Sequence, residues 1–263
     1  MKVTVIGLGE IGYEIYKALK KRCLHDIHGV EVSEVRLIEL CASMPQRQIS
    51  NQMNADSDIY ILAVYTPKQI KEVLSKIDLT KNPLIIIEST MLPGETDIIL
   101  KAYPNIDLVL FPHRYNPNDK EHHVFNLNRI IGANTGDALA RALQFYKPYM
   151  DINLIHPVSL KVAELAKPLE NAYRYIEIAI AEEVKMMCKE KGINFDELRS
   201  AINTKWNIDM KEARQGIGLK CLPKDIGFIN EYYTKNNLFN SAMRVDALYR
   251  AFLHKQEIIL GDE

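Results

Sequence analysis

The 263-residue chain lacks a surplus of charge of either sign, with 33 Lys and Arg against 34 Asp and Glu and a net charge of -1. Without a bulk positive field it has no general hold on nucleic acid or an anionic membrane surface, and neither is expected as a partner. Long apolar runs are also missing: residues 83–87 form one of the longest, far short of the roughly 18 residues needed to cross a bilayer. The sequence passes from Met1 directly into a strand-like run with no charged leader before it, and a cytoplasmic protein is the expectation. Cysteine is scarce. Cys23, Cys41, Cys188 and Cys221 are too far apart for zinc-ligand pairs or a redox dithiol. The first three read as small hydrophobes in apolar surroundings. His113, His122 and His123 sit beside a stretch that reads as solvated loop, and no metal site is expected.

With 47% hydrophobic and 25% charged residues the composition is that of an ordinary globular protein. At about 150 residues per domain the length suits one large or two small domains. Residues 3–6, 27–32, 59–64, 84–87, 108–111 and 129–131 are short β-branched runs, each a candidate strand. Between them, residues 11–21, 68–77, 96–102 and 137–146 carry Ala, Leu, Lys and Glu at helical spacing, the crossovers of a parallel sheet. After a last strand-like piece at 152–155 the pattern changes. Residues 158–191 read as one long helix interrupted by Pro168, where a bend or a restart is expected. Gly192 ends it, and helices at 195–203, 226–233 and 240–260 follow. Trp206 reads as helix packing with Phe195, Leu198 and Ile202.

Val5-Ile6-Gly7-Leu8-Gly9-Glu10-Ile11-Gly12 places G-x-G-x-x-G between a strand and a helix. In that context Gly7 permits a tight turn, Gly9 lets the backbone approach a pyrophosphate, and Gly12 lets the helix lie close to the strand. The helix start at Glu10 and Ile11 then faces the phosphates. Glu31, ending the second strand, follows at the spacing expected of a carboxylate that binds the adenosine ribose. A carboxylate there repels a 2′-phosphate, which favours NAD over NADP, with Arg36 as the one nearby residue pulling the other way. The fold expected is α/β: a doubly wound, Rossmann-type parallel sheet over residues 1–156, then a smaller all-helical domain over 157–263.

Four further segments resemble the UDP-glucose and GDP-mannose dehydrogenase family. They are Ala63-Val64-Tyr65-Thr66-Pro67, the stretch Glu88-Ser89-Thr90-Met91-Leu92-Pro93-Gly94-Glu95-Thr96, Ala163-Glu164-Leu165-Ala166-Lys167 with Glu170-Asn171, and Gly216-Ile217-Gly218 leading into Cys221-Leu222-Pro223-Lys224-Asp225. Enzymes of that family oxidise a sugar primary alcohol to a carboxylate in two hydride transfers, with two NAD and a cysteine thioester. By resemblance the catalytic residues are Cys221 as nucleophile, Lys167 and Asn171 at the substrate oxygen, Asp225 at the hydrolytic water, and Thr90. Thr66, Pro67 and Thr90 join the glycines and Glu31 as cofactor-binding candidates. Lys167 and Asn171 lie one helical turn apart and share a face, and Cys221 precedes Lys224, whose positive charge favours the reactive thiolate. Each also has a plainer role: Asp225 as cap of a helix starting at Ile226, Lys167 and Asn171 as a solvated face, Cys221 as a bystander.

Three departures from the family pattern stand out. His113 follows Pro112 where the family has a glutamate, and Leu219 replaces the second glycine of a pair before the cysteine. The chain ends at Glu263 where family members continue into a domain that binds the nucleotide of the substrate, so loss of remote binding energy is expected to lower turnover. The long helix is apolar on more than one side, with Ala163, Leu165, Ile176, Ile178, Ile180, Val184 and Met187, and a homodimer through it is expected. Two other functions fit part of the pattern: a β-hydroxyacid dehydrogenase, which transfers one hydride without a cysteine, and an NAD-binding sensor without catalysis.

Overall fold

The computed structural model describes residues 1–43, 48–53, 56–116, 119, 121–218, 220–235 and 238–261, excepting the side chains of residues 43 and 256–261. The chain divides into two compact units, Met1–Ala166 and Lys167–Glu263. The division falls inside a helix, later than the expected boundary near His156, because Leu160 and Ala163 in that helix's first turn pack into the core of the first unit.

The first unit is built on eight strands: β1 (Lys2–Ile6), β2 (Asp26–Val30), β3 (Ile49–Ser50), β4 (Ile59–Leu62), β5 (Leu84–Ile87), β6 (Asp107–Leu110), β7 (Arg129–Ala133) and β8 (Ile155–Ser159). They lie in the order β3-β2-β1-β4-β5-β6-β7-β8. β1 to β6 are parallel, while β7 runs antiparallel to β6 and parallel to β8. The first six follow the doubly wound order of dinucleotide-binding sheets. Alternate side chains serve opposite faces, as a sheet covered on both sides requires. Val3, Val5, Ile59, Ile61, Leu84 and Ile86 meet α1 (Glu10–Arg22), α2 (Glu34–Ser43) and α5 (Gly136–Tyr146) on one face. Tyr60, Leu62, Ile85, Ile87, Leu108 and Leu110 meet α3 (Pro67–Leu74) and α4 (Glu95–Ala102) on the other.

Two elements here escaped the sequence reading. β3 has two residues, too few to show a period, and α2 carries Val35 and Ile38 70% exposed, which blurs its amphipathic pattern. Residues 152–154 form a 3-10 turn rather than a strand, capped by the Asp151 side chain, and β8 begins where the expected strand ended. Pro157 is tolerated in β8 because it is the edge strand.

The second unit holds the later turns of α6 (Leu160–Lys191) with α7 (Phe195–Ile202), α8 (Cys221–Tyr232) and α9 (Leu238–Gly261). Its core gathers Ala181, Cys188, Phe195, Ala213 and Tyr249. α6 runs through Pro168 without restarting and stops at Gly192, whose φ is +69°. Trp206 does not pack with Phe195 as expected. It is 93% exposed, because it lies in the loop after α7, beyond the helix face that Phe195 and Leu198 turn inward. Of the three cysteines expected in apolar surroundings only Cys188 is buried; Cys23 and Cys41 are exposed at the end of α1 and on α2. No helix among the described residues is long and apolar enough to cross a membrane.

Candidate functional site

In the first unit the strand order reverses between β1 and β4, and the turns leaving both strands carry candidate residues. Gly7 has φ +86°, and a Cβ there would lie 2.7 Å from the Ala63 carbonyl oxygen. A Cβ on Gly12 would fall 1.8 Å from the Gly7 carbonyl oxygen. Packing therefore demands both glycines. Gly9 differs: it is the N-cap of α1, and nothing lies within 4 Å of an added Cβ. Its bareness leaves open space in front of a helix N-terminus whose first N–H groups, at Glu10 and Ile11, have no intrahelical acceptor. Two glycines required by the protein and one by nothing in the protein suit a pyrophosphate laid against that turn.

Glu31 is buried and already employed. Its carboxylate accepts hydrogen bonds from the Leu8 and Ser33 N–H groups, each at 2.9 Å, and so holds the glycine turn in place. Each oxygen keeps lone-pair capacity for a further donor. Arg36 donates from Nε to the Leu8 carbonyl oxygen at 3.1 Å and pairs with Glu39 at 3.0 Å. Thr66 caps α3, accepting from the Gln69 N–H at 3.3 Å while the Gln69 side chain accepts from the Thr66 N–H at 3.0 Å, and Pro67 is the first helical residue. Thr90 is buried just past the end of β5, beside Ser89, whose hydroxyl donates to the Val64 carbonyl at 2.6 Å.

Beneath Thr90 lies a network that the sequence reading missed. Glu88 is fully buried and takes donors from the Arg129 guanidinium and, at 3.1 Å, from the Tyr146 hydroxyl. Burial pushes the Glu88 carboxyl up from its ordinary range against the pull of Arg129. The same guanidinium donates to the Phe111 carbonyl, and the Glu88 carbonyl accepts from the His113 N–H at 3.2 Å. The ends of β5 and β6 and the start of β7 are thereby tied together. The available signal was Arg129 itself, a lone charge opening an apolar strand. Glu164, within the Ala163–Lys167 segment, accepts from the Gly94 N–H at 2.8 Å and the Thr96 N–H at 2.7 Å, capping α4 from 70 residues away.

The remaining candidates belong to the second unit. α8 does not start at Ile226 as expected but at Cys221, which is exposed as its first residue. Asp225 therefore lies a turn inside the helix, fully buried, and is not a cap. Instead it accepts from Asn171 Nδ2 at 2.6 Å, with the Lys224 ammonium 3.4 Å away. Cys221 and Asp225 are thus one turn apart on α8, Lys167 and Asn171 one turn apart on α6, and the Asn171–Asp225 hydrogen bond joins the two pairs. Leu219 lies outside the described residues.

Residues 161–247 match the family model described as UDP-glucose/GDP-mannose dehydrogenase family, central domain. Residues 2–91 match that of NADP oxidoreductase, coenzyme F420-dependent. The family resemblance is borne out. The UDP-N-acetyl-D-mannosamine dehydrogenase of Methanococcus maripaludis is 27% identical over 92% of this chain and 64% of its own length. The UDP-N-acetyl-D-glucosamine 6-dehydrogenase of Pseudomonas aeruginosa is 27% identical over 79% of this chain and 57% of its own. The chain thus spans less than two thirds of the length of either relative. Among solved structures, the UDP-D-ManNAc dehydrogenase of Pyrococcus horikoshii superposes with a TM-score of 0.83 at 22% identity, covering 96% of this chain and 69% of that one. A 3-hydroxyisobutyrate dehydrogenase of Mycobacterium tuberculosis reaches 0.73 at 14% identity, over 95% and 94%. Both likenesses concern the fold, which is α/β with a Rossmann-type sheet.

Proposed function

We propose that the protein is an NAD-dependent dehydrogenase that oxidises the primary alcohol of a nucleotide sugar to a carboxylate in two hydride transfers, by way of a thioester on Cys221. One observation carries the reading: the buried Asn171–Asp225 hydrogen bond links the helix that begins with Cys221 to the helix turn that carries Lys167. NAD, when bound, supplies the hydride acceptor. Gly9 and the helix start at Glu10 and Ile11 would hold its pyrophosphate, in a turn that Gly7 and Gly12 make possible, and Glu31 its ribose, with Thr66, Pro67 and Thr90 at the neighbouring strand ends. NAD is favoured over NADP because a carboxylate at position 31 repels a 2′-phosphate, while Arg36 is spent on the Leu8 carbonyl and Glu39.

After the first oxidation the Cys221 thiolate adds to the aldehyde carbon, forming a C–S bond while the carbonyl electron pair moves onto oxygen. Lys167 and the Asn171 amide stabilise that oxygen, an effect worth roughly 3 to 4 kcal/mol per well-placed donor. Asp225 uses one amide proton of Asn171 to fix its orientation, leaving the other for the substrate. Once the thioester has formed, water adds to its carbonyl under the direction of Asp225, the C–S bond breaks, and protonation restores the thiol. The names of the relatives put UDP-N-acetyl sugars first among the substrates.

Two accompanying properties belong to the same proposal. Leu169, Tyr173, Ile180 and Met187 form an exposed apolar stripe along α6, suited to burial against the same helix of a second copy. All four cysteines are free thiols, in keeping with a reducing, cytoplasmic setting.

The test follows NADH absorbance with UDP-N-acetylmannosamine, UDP-glucose and GDP-mannose, each paired with a Cys221→Ala control. Two NADH per sugar are expected, with the acid product abolished in Cys221→Ala while NAD binding persists. Unchanged acid production in that variant overturns the nucleophile. The likeness to 3-hydroxyisobutyrate dehydrogenase over nearly that protein's whole length favours a second reading, a single-hydride β-hydroxyacid dehydrogenase. That enzyme would release one NADH per substrate and be indifferent to Cys221→Ala.

A further inference from the structure

α6 and α9 enclose a polar cluster that the mechanism above does not use. Asp246 on α9 is buried and accepts three hydrogen bonds: from the Tyr175 hydroxyl of α6 at 3.1 Å, from Arg250 Nε at 3.0 Å, and from the Ile217 backbone N–H at 2.9 Å. Arg250 also donates to the Ile217 carbonyl oxygen. Both backbone groups of Ile217 are therefore gripped by one turn of α9. Gly216 beside it has φ +87°, and a Cβ there would lie 2.9 Å from the Arg250 guanidinium carbon, so the turn seats directly on that side chain. Four residues after Ile217 comes Cys221.

Glu182 faces the same cluster from α6. It is 0% exposed, and its carboxyl oxygens accept from no N–H or O–H donor among the described residues; the group they meet is the Asp246 carboxylate, to which only a protonated Glu182 can donate. A fully buried carboxyl with no donor is costly in its ionised form. Here burial, and next the charge of Asp246, push it up to about 8, with Arg250 opposing. Among the described residues it interacts with Asp246 and Arg250 on α9 and with Tyr175 on α6, and Lys185 on α6 lies over the Tyr249 ring of α9. Tyr175 is raised far by burial and by Asp246, and Lys185 donates to the Ala213 carbonyl at 2.9 Å. Along the loop, Lys211 pairs with Asp209 and Arg214 with Glu212.

We propose that Glu182 is a positioning residue: by carrying or losing a proton beside Asp246, it sets how firmly α9 grips the Gly216–Gly218 turn that leads into Cys221. Protonated, it leaves Asp246 as the negative partner of Arg250, Tyr175 and the Ile217 N–H and adds its own O–H as a further donor to that carboxylate. Ionised, it places a second carboxylate beside the first and competes for the same donors. The grip on Ile217, four residues before the thiol, then loosens in alkaline solution. The consequence for catalysis rests on the reading of Cys221 as nucleophile; the grip itself does not.

The experiment measures hydrogen exchange at the Ile217 amide, and iodoacetamide alkylation of the peptide containing Cys221, from pH 6 to 9.5. Wild type is compared with Glu182→Gln, a neutral isostere. The wild-type to Glu182→Gln ratio of Ile217 exchange rates is expected to rise about tenfold between pH 7 and 9.5, the scale of a like-charge contact at a partly buried site. The alkylation ratio should change over the same interval. Asp246→Asn removes the second carboxylate, and in that background the ratio of Ile217 exchange rates without and with Glu182→Gln should stay flat with pH. A flat ratio for Ile217, a ratio that still changes with pH in the Asp246→Asn background, or a Cys221 alkylation ratio that ignores pH would each overturn the proposal. NADH formation in the same samples separates the two readings: silence with every sugar, alongside an intact Ile217 titration, sinks the dehydrogenase and leaves the grip standing.

Discussion

Glycines at 7, 9 and 12 share one motif, yet each answers to a different force. Gly7 and Gly12 are fixed by collisions with backbone atoms, while Gly9 borders open space at the N-terminus of α1, which is where the proposed pyrophosphate would lie. Glu182 shows the opposite case, a residue that nothing in the sequence distinguishes from any other helix glutamate. Its environment has a measurable signature in stability. In the unfolded chain this carboxyl ionises near 4.5, and in the folded protein near 8. Between those values the native state holds a proton that the unfolded state has lost, so stability falls as pH rises through the window and levels off above it. Glu182→Gln cannot lose a proton. Its melting temperature relative to wild type is expected to climb steadily from pH 4.5 to pH 8 and then plateau, as read by thermal melts at intervals from pH 4 to 9. A difference that stays constant over that range would show that Glu182 does not titrate as described.

The helices show how far local signals reach. α3 announces itself through Thr66, Pro67 and Gln69, a complete capping box within four residues, and its observed start matches. α8 misled the sequence reading because Pro223 and Asp225 look like signals that precede a helix. Pro is equally at home within a first turn, where its missing N–H has no intrahelical acceptor to lose, and Asp225 is claimed by Asn171 from another helix. α4 is a third case. Gly94 offers no side-chain cap, and the Glu164 carboxylate performs that task from α6. Replacing Glu164 with Ala leaves one buried and one part-buried N–H group without an acceptor, and a loss of about 1 to 3 kcal/mol is expected from urea denaturation. A loss no larger than that of an exposed Glu→Ala change would mean water serves the α4 terminus equally well.

Across the molecule, the parallel sheet and the helical second unit divide the work of folding differently. The sheet buries both faces through strict alternation along each central strand, and that alternation was readable as short β-branched runs. The antiparallel turn of β7 was not, since strand direction leaves no trace in composition. The second unit has a smaller core, and along α6 it leaves Leu169, Tyr173, Ile180 and Met187 facing solvent. If these residues meet a second copy, Ile180→Glu places a charge in the middle of the contact. The wild type is then expected to sediment as a dimer and the variant as a monomer, with unchanged helix content by circular dichroism. A wild type that is monomeric at every concentration tested removes the dimer from the proposal.

The sequence alone determined the glycine turn after β1, the crossovers α1, α3, α4 and α5 and the order of the family motifs, because these depend on backbone conformation, period and short-range capping. It could not decide where Glu164, Arg129, Asp225 and Asp246 would find their partners. Those pairings join residues far apart in the chain, and a buried charge is recognisable only once folding has removed its water and set a particular donor beside it.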